Sequence, residues 1–87
     1  EHMGPYKFCL EQLLDKNPNA LEFLHRLVFA GHTVKDICGK LLQCVLDMEL
    51  SPTEKFKVVG AVGEMEWRSR SVTPKVLVAW FTAQFMK

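Results

Sequence analysis

The chain has 87 residues, which is enough for one small domain built around a single hydrophobic core. Its residues are 48% hydrophobic and 24% charged, an ordinary globular balance, and its formal net charge of +1 excludes a strong overall attraction to nucleic acid or to a membrane surface. The longest uncharged run, Val76 to Met86, is too short to span a bilayer, so no membrane partner is predicted.

The cysteine pattern argues against a disulfide framework. Cys9, Cys38 and Cys44 make an odd count and include no C-x-x-C pair. This pattern is typical of a reducing, intracellular setting, in which cysteines most often serve as small buried apolar residues.

The N-terminus differs from the rest of the chain. Glu1-His2-Met3 is typical of an expression-vector remnant. We therefore expect residues 1–4 to be such a remnant or a disordered N-terminus, and residues 5–87 to form a single helical domain.

Two helices are predicted in the first third of the chain. Residues 5–15 carry a partial helical stripe formed by Phe8, Cys9, Leu10, Leu13 and Leu14. The second helix is predicted to begin with Asn17 as N-cap and Pro18 at the first helical position, and to end at Gly31.

The third helix is predicted to begin at Thr33, with Asp36 three residues later as a relative of the capping box. Its apolar residues share one broad face: Val34, Ile37, Cys38, Leu41, Leu42, Cys44, Val45 and Met48. Its polar residues share the other: Lys35, Asp36, Lys40, Gln43 and Asp47. This amphipathic pattern predicts a helix at the surface of the domain.

The fourth helix, from Ser51 to Arg70, carries the strongest start signal. Ser51, Pro52 and Glu54 together fit a capping box with proline at the first helical position. Its apolar residues spread over most of the circumference: Phe56, Val58, Val59, Ala61, Val62, Met65 and Trp67. A helix of this kind is expected to be surrounded by other helices, and Gly60 and Gly63 suggest a close helix approach or a bend.

The fifth helix is predicted from Thr73 as cap and Pro74 at the first helical position towards Met86. The β-branched run from Val76 to Val78 is compatible with a strand, but no second strand candidate is available to pair with it. The predicted fold is therefore all-α, a compact bundle of about five short helices joined by short loops.

No pattern of catalytic chemistry is present. The sequence lacks both glycine-rich phosphate-binding motifs, and Glu64 and Glu66, two residues apart, point to different sides of their helix. His25, His32, Cys38 and Cys44 do not match zinc-ligand spacing. We expect a protein that is not an enzyme and that carries no cofactor or metal.

A small basic cluster, Arg68, Arg70 and Lys75, surrounds the end of the fourth helix. Cations are favourable at helix C-termini, which explains the two arginines without any ligand. The alternative is contact with an acidic partner or a phosphate backbone. Ser69 and Ser71 are possible phosphorylation sites.

An excess of apolar surface is the more informative feature. The second, fourth and fifth helices carry more hydrophobic residues than one small core needs, and tryptophan is enriched at interfaces. The predicted protein interface comprises Trp67, Val76, Val78, Trp80, Phe81 and Phe85. We expect part of the last helix, including Val78, to be exposed in the isolated domain.

In four passages, Leu24–Ile37, Leu50–Lys55, Val62–Arg68 and Val76–Phe81, the chain resembles the C-terminal domain of replication factor C subunits. Leu24-His-Arg-Leu27 followed by Gly31-His-Thr-Val-Lys-Asp-Ile37 is similar to the family's leucine, glycine and Asp-Ile passage. Leu50-Ser51 with Lys55, Val62-Gly-Glu-Met-Glu-Trp-Arg68 and Val76-Leu-Val-Ala-Trp-Phe81 are similar to the helices that follow. The resemblance covers about Leu21 to Ala83, although Ser71-Val-Thr-Pro74 replaces the family's usual glycine-containing turn.

The resemblance implies the helical collar of a sliding-clamp loader in DNA replication. In that family the collar is not catalytic and holds the subunits together, while separate AAA+ modules do the ATP-driven work. Sibling subunits would then be the partners, and the nucleus the location in a eukaryote.

Two other interpretations stay open from the residues. One is an unrelated adaptor domain that binds a partner helix or peptide in an apolar groove near Trp67 and Trp80. The other is a nucleic-acid contact through Arg68, Arg70 and Lys75.

Overall fold

The structure, a computed structural model, describes residues 4–87, which form five α-helices and no strand. The helices are α1 (Gly4–Leu14), α2 (Ala20–Phe29), α3 (Val34–Asp47), α4 (Pro52–Arg68) and α5 (Pro74–Phe85). The all-α prediction is confirmed. Gly4 is the first residue of α1, whereas the remainder of the predicted N-terminal remnant lies outside the described residues.

Local start and stop signals determine where α3 and α4 begin. The Ser51 hydroxyl accepts a hydrogen bond from the Glu54 backbone N–H at 3.2 Å, and the Glu54 carboxylate accepts one from the Ser51 N–H at 3.1 Å. The Thr33 hydroxyl accepts from the Asp36 N–H at 3.1 Å. Gly31 has a φ of 97°, the left-handed conformation that favours glycine after a helix end.

The second helix begins slightly later than predicted. The Asn17 side-chain carbonyl accepts a hydrogen bond from the Asn19 N–H at 3.0 Å, so Asn17 closes a turn rather than capping the helix itself. The α-helix then begins at Ala20. The Asn17 side chain does accept a backbone hydrogen bond, but it does so about one turn before the first residue of the α-helix.

The centre of the domain is α5, which packs against α1, α2 and α4. Its side chains Leu77, Val78, Phe81 and Phe85 are all fully buried. The rings of Phe81 and Phe85 meet edge to face, with centroids 5.1 Å apart. The last helix in the chain therefore supplies much of the core and packs against three of the other four helices.

The prediction that α4 is surrounded by other helices is wrong. Its buried residues Val58, Val62 and Met65 form one side only, packed on α3 and α5. A Cβ atom added at Gly60 or Gly63 would meet no atom of the described residues within 4 Å, so no helix approaches there. The residues on the opposite side of α4 face solvent.

The amphipathic prediction for α3 is confirmed. Six of its apolar residues are buried, namely Val34, Ile37, Cys38, Leu41, Cys44 and Val45, whereas Leu42 and Leu46 are exposed. The predicted polar face is exposed throughout. This helix buries its apolar stripe against α4 and α1.

Two valines on α4 provide a matched test of this one-sided burial. Val62 is 3% exposed and Val59 is 39% exposed. We expect Val62→Asp to bury an unpaired charge, cost about 3–5 kcal/mol and largely unfold a domain of this size. Val59→Asp should leave the protein folded. Thermal melts by circular dichroism measure both, and equal losses from the two variants would contradict the placement of α4.

Candidate protein interface

The side of α4 opposite the core carries a row of exposed apolar residues. This outer face comprises Phe56, Val59, Gly60, Gly63 and Trp67, which recur at helical spacing within about 100° of the helix circumference. Phe56 is 74% exposed and Trp67 is 66% exposed. Between these two rings lie Gly60 and Gly63, which have no side chains to cover the helix backbone.

Large exposed side chains in one row are unusual on an isolated domain. Single exposed hydrophobic residues need no explanation, but an apolar row flanked by charged residues is typical of a surface that another protein covers. Lys57 and Glu64 lie along one edge of the outer face, and Lys55 and Glu66 lie along the other. The apolar excess of α4 is therefore exposed rather than buried in the core.

The structure divides the predicted interface residues into two groups. Trp67 and Val76 are exposed and Trp80 is half-buried, as an interface requires. Val78, Phe81 and Phe85 are fully buried, so their prediction as exposed interface residues is wrong. The reason is that Val78 lies three residues before Phe81 and seven before Phe85, so the three side chains share one face of α5, and that face lies in the core.

The three predicted basic residues do not form one free cationic patch. Arg68 pairs with Glu64 at 2.7 Å and lies over the Trp80 ring, 4.8 Å from its centroid. Arg70 lies over the Trp67 ring at 4.7 Å. Lys75 lies over the Phe29 ring at 5.6 Å, on the side of the domain formed by α2.

These contacts give the cations a structural role. Each lies within the distance at which a cation is attracted to an aromatic face. Arg68 links α4 to α5 through Trp80, and Lys75 links α5 to α2 through Phe29. The prediction of an acidic or phosphate ligand therefore rests mainly on Arg70, because its aromatic contact, Trp67, lies three residues before it and links it to no second helix.

Two shallow grooves flank Trp67. One, of about 390 Å³, is lined by Lys35, Gly63, Glu66, Trp67, Ser69 and Arg70. The other, of about 300 Å³, is lined by Glu64, Trp67, Arg68, Arg70, Ser71 and Val72. Within the first groove the Ser69 hydroxyl donates a hydrogen bond to the Glu66 backbone carbonyl at 2.6 Å.

An acidic groove at the opposite end of α4 was not foreseen from the sequence. It has a volume of about 730 Å³, and five carboxylates line it: Glu11, Asp15, Asp47, Glu49 and Glu54. Asp47, Glu49 and Glu54 are near one another in the sequence, which is a weak signal. Of the other two, Glu11 lies on α1 and Asp15 directly follows that helix, and only the tertiary fold brings them to the same place.

The cysteines behave as core residues. Burial is the main cause that raises the pKa of Cys9 to about 12 and the pKa of Cys38 to about 11. Both thiols therefore stay protonated at neutral pH and are poor nucleophiles. Among residues 4–87, no three histidine, cysteine or acidic side chains are grouped so that they could hold a metal ion.

Comparisons with known proteins give no assignment. No protein-family model, no curated protein and no solved structure matches this chain. Within residues 4–87, no helix has the length and apolar character needed to cross a membrane.

Two neighbouring valines on α5 test the corrected interface. Val78 is fully buried and Val76 is 58% exposed. We expect Val78→Glu to unfold the domain, because a carboxylate would replace a packed side chain, and Val76→Glu to shift the melting temperature by only a few degrees. A folded Val78→Glu variant with an unchanged melting curve would contradict the burial of this residue.

The buried thiols predict a loss of stability at alkaline pH. Their pKa values are higher in the folded than in the unfolded chain, so their contribution is complete below about pH 9 and is lost as the pH rises towards 11 and 12. In that range, each of the two thiols should lower the free energy of unfolding by about 1.4 kcal/mol per pH unit.

Urea unfolding at pH 8, 9 and 10 measures this loss. A Cys9→Ala, Cys38→Ala double variant is the control, because it should show a flatter dependence on pH. Identical slopes for the two proteins would contradict the assigned burial of the thiols.

Proposed function

We propose that this protein is a non-enzymatic helical assembly domain that binds another protein through the outer face of α4. The observation that carries the proposal is the exposure of Phe56 and Trp67 in one row, on a helix whose opposite side forms the core. Exposed aromatic residues with a charged rim are the usual composition of a protein interface.

The assembly that we propose is the collar of a sliding-clamp loader. Support comes from the sequence passages between about Leu21 and Ala83, and from a five-helix bundle that is compatible with such a collar. In this proposal the partners are sibling subunits with similar helical domains. The apolar surface assigned to the interface lies on α4, with Val76 as a contribution from α5.

An adaptor domain is the second candidate. The grooves on both sides of Trp67 favour it, because together they expose an aromatic ring next to basic side chains. A short peptide with an apolar anchor and an acidic residue would fit such a site. A collar domain should require a folded sibling domain, whereas an adaptor should bind the isolated peptide.

The proposed interface predicts which substitutions weaken binding to purified sibling subunits. Phe56→Ser and Trp67→Ser should each weaken binding by at least about tenfold, because aromatic residues at the centre of an interface carry much of its energy. Phe8→Ser is the matched control, since Phe8 is exposed but lies on α1. Isothermal titration calorimetry measures the affinities. Equal affinities for all four proteins would remove the interface from α4.

A further inference from the structure

The outer face of α4 has the same arrangement when read from either end. Phe56 lies four residues before Gly60, and Trp67 lies four residues after Gly63. An aromatic ring therefore stands at each end of a short bare segment. If a second α4 lay antiparallel across the glycines, Phe56 of one copy would be level with Trp67 of the other.

The glycines make a close crossing possible at the centre of this arrangement. The distance between packed helices depends on the side chains at the point of contact. A side chain added at Gly60 or Gly63 would point into open space, so no described residue covers the helix surface there. Two such surfaces can approach until the aromatic rings at the ends make contact.

The charges along the edges distinguish between the two possible directions. In the antiparallel arrangement, Lys57 of one copy lies beside Glu64 of the other, offset by two residues or about 3 Å along the axis. Lys55 lies beside Glu66 of the other copy with the same offset. A parallel arrangement would instead place Lys57 beside Lys55, and Glu64 beside Glu66. Opposite charges meet only when the helices are antiparallel.

We propose that the outer face of α4 binds a second copy of this chain, with the two helices antiparallel about a two-fold axis. This inference rests on the proposed function, which makes the outer face a protein interface, and it adds the partner and its orientation. A helix of this length is about 25 Å long and 10–12 Å wide. One such face is much smaller than the roughly 800 Å² per partner of a stable complex, so the dimer should be weak and dependent on concentration.

Sedimentation equilibrium over a wide range of protein concentrations tests the dimer. The unmodified chain should change from monomer to dimer as its concentration rises. Phe56→Ser should shift the midpoint at least tenfold higher, and the control Phe8→Ser should leave it unchanged. A chain that stays monomeric at millimolar concentration would overturn the proposal.

A charge-complementation experiment tests the orientation. Lys57→Glu and Glu64→Lys should each weaken self-association, because each leaves like charges facing across the two-fold axis. An equimolar mixture of the two variants should associate more tightly than either variant alone, because both edge pairs then carry opposite charges. A mixture no tighter than the separate variants would overturn the antiparallel arrangement. Both substitutions are at exposed positions, and circular dichroism verifies that each variant is folded.

The same variants distinguish failure of the dimer from failure of the proposed function. A monomeric chain whose binding to sibling subunits is still weakened by Phe56→Ser overturns the dimer and leaves the outer face as an interface. A monomeric chain whose binding to sibling subunits is unaffected by this substitution overturns both. A dimer that is insensitive to Phe56→Ser overturns the proposed self-contact of α4, because the contact then lies elsewhere, and the affinity for sibling subunits decides the proposed function separately.

Discussion

The burial of α5 is the constraint on which the rest of the structure depends. Leu77, Val78, Phe81 and Phe85 are fully buried, and each such side chain contributes about 1.5–3 kcal/mol when it is removed from water. These residues share one face of the helix, about 100° wide, and α5 packs against α1, α2 and α4. The Thr82 hydroxyl, also buried, donates to the Val78 backbone carbonyl at 2.9 Å and so avoids the cost of an unpaired polar group.

The central position of α5 has a direct consequence for α4. Val58, Val62 and Met65 lie on one side of α4, which packs against α3 and α5. The apolar residues on the opposite side have no other helix to pack against within the described residues. The outer face is exposed because no helix in the described part of the chain packs against it. The proposed interface therefore lies on the helix that is apolar on both sides but covered on only one.

Cations lying over aromatic rings stabilise the edges of this arrangement. Arg68 lies over Trp80 and Lys75 lies over Phe29, so pairs of helices are joined at the surface as well as in the core. The same contacts explain why a basic cluster in the sequence does not become a free cationic patch. Arg70 lies over Trp67, next to the outer face, and so adds a charge to the surface available for a partner.

The sequence alone determined the helices and most of their boundaries, because caps and stops act locally. Ser51 with Glu54, Thr33 and Gly31 each make or adopt the predicted hydrogen bond or conformation within a few residues. The sequence also predicts the apolar face of α3, because the polar and apolar residues of this helix lie on different faces. These signals depend on neighbours in the chain and need no knowledge of the fold.

Only the tertiary structure decided which apolar surface is buried. Helical periodicity shows that α4 and α5 are apolar over most of their circumference, but it does not show how many neighbours each helix has. For that reason the sequence predicts α4 in the centre of the bundle, whereas the structure exposes one side of it; Val78 is buried with Phe81 and Phe85, whose face of α5 it shares. The acidic groove likewise depends on α1, α3 and the start of α4 meeting at one end of the bundle, which no spacing in the chain encodes.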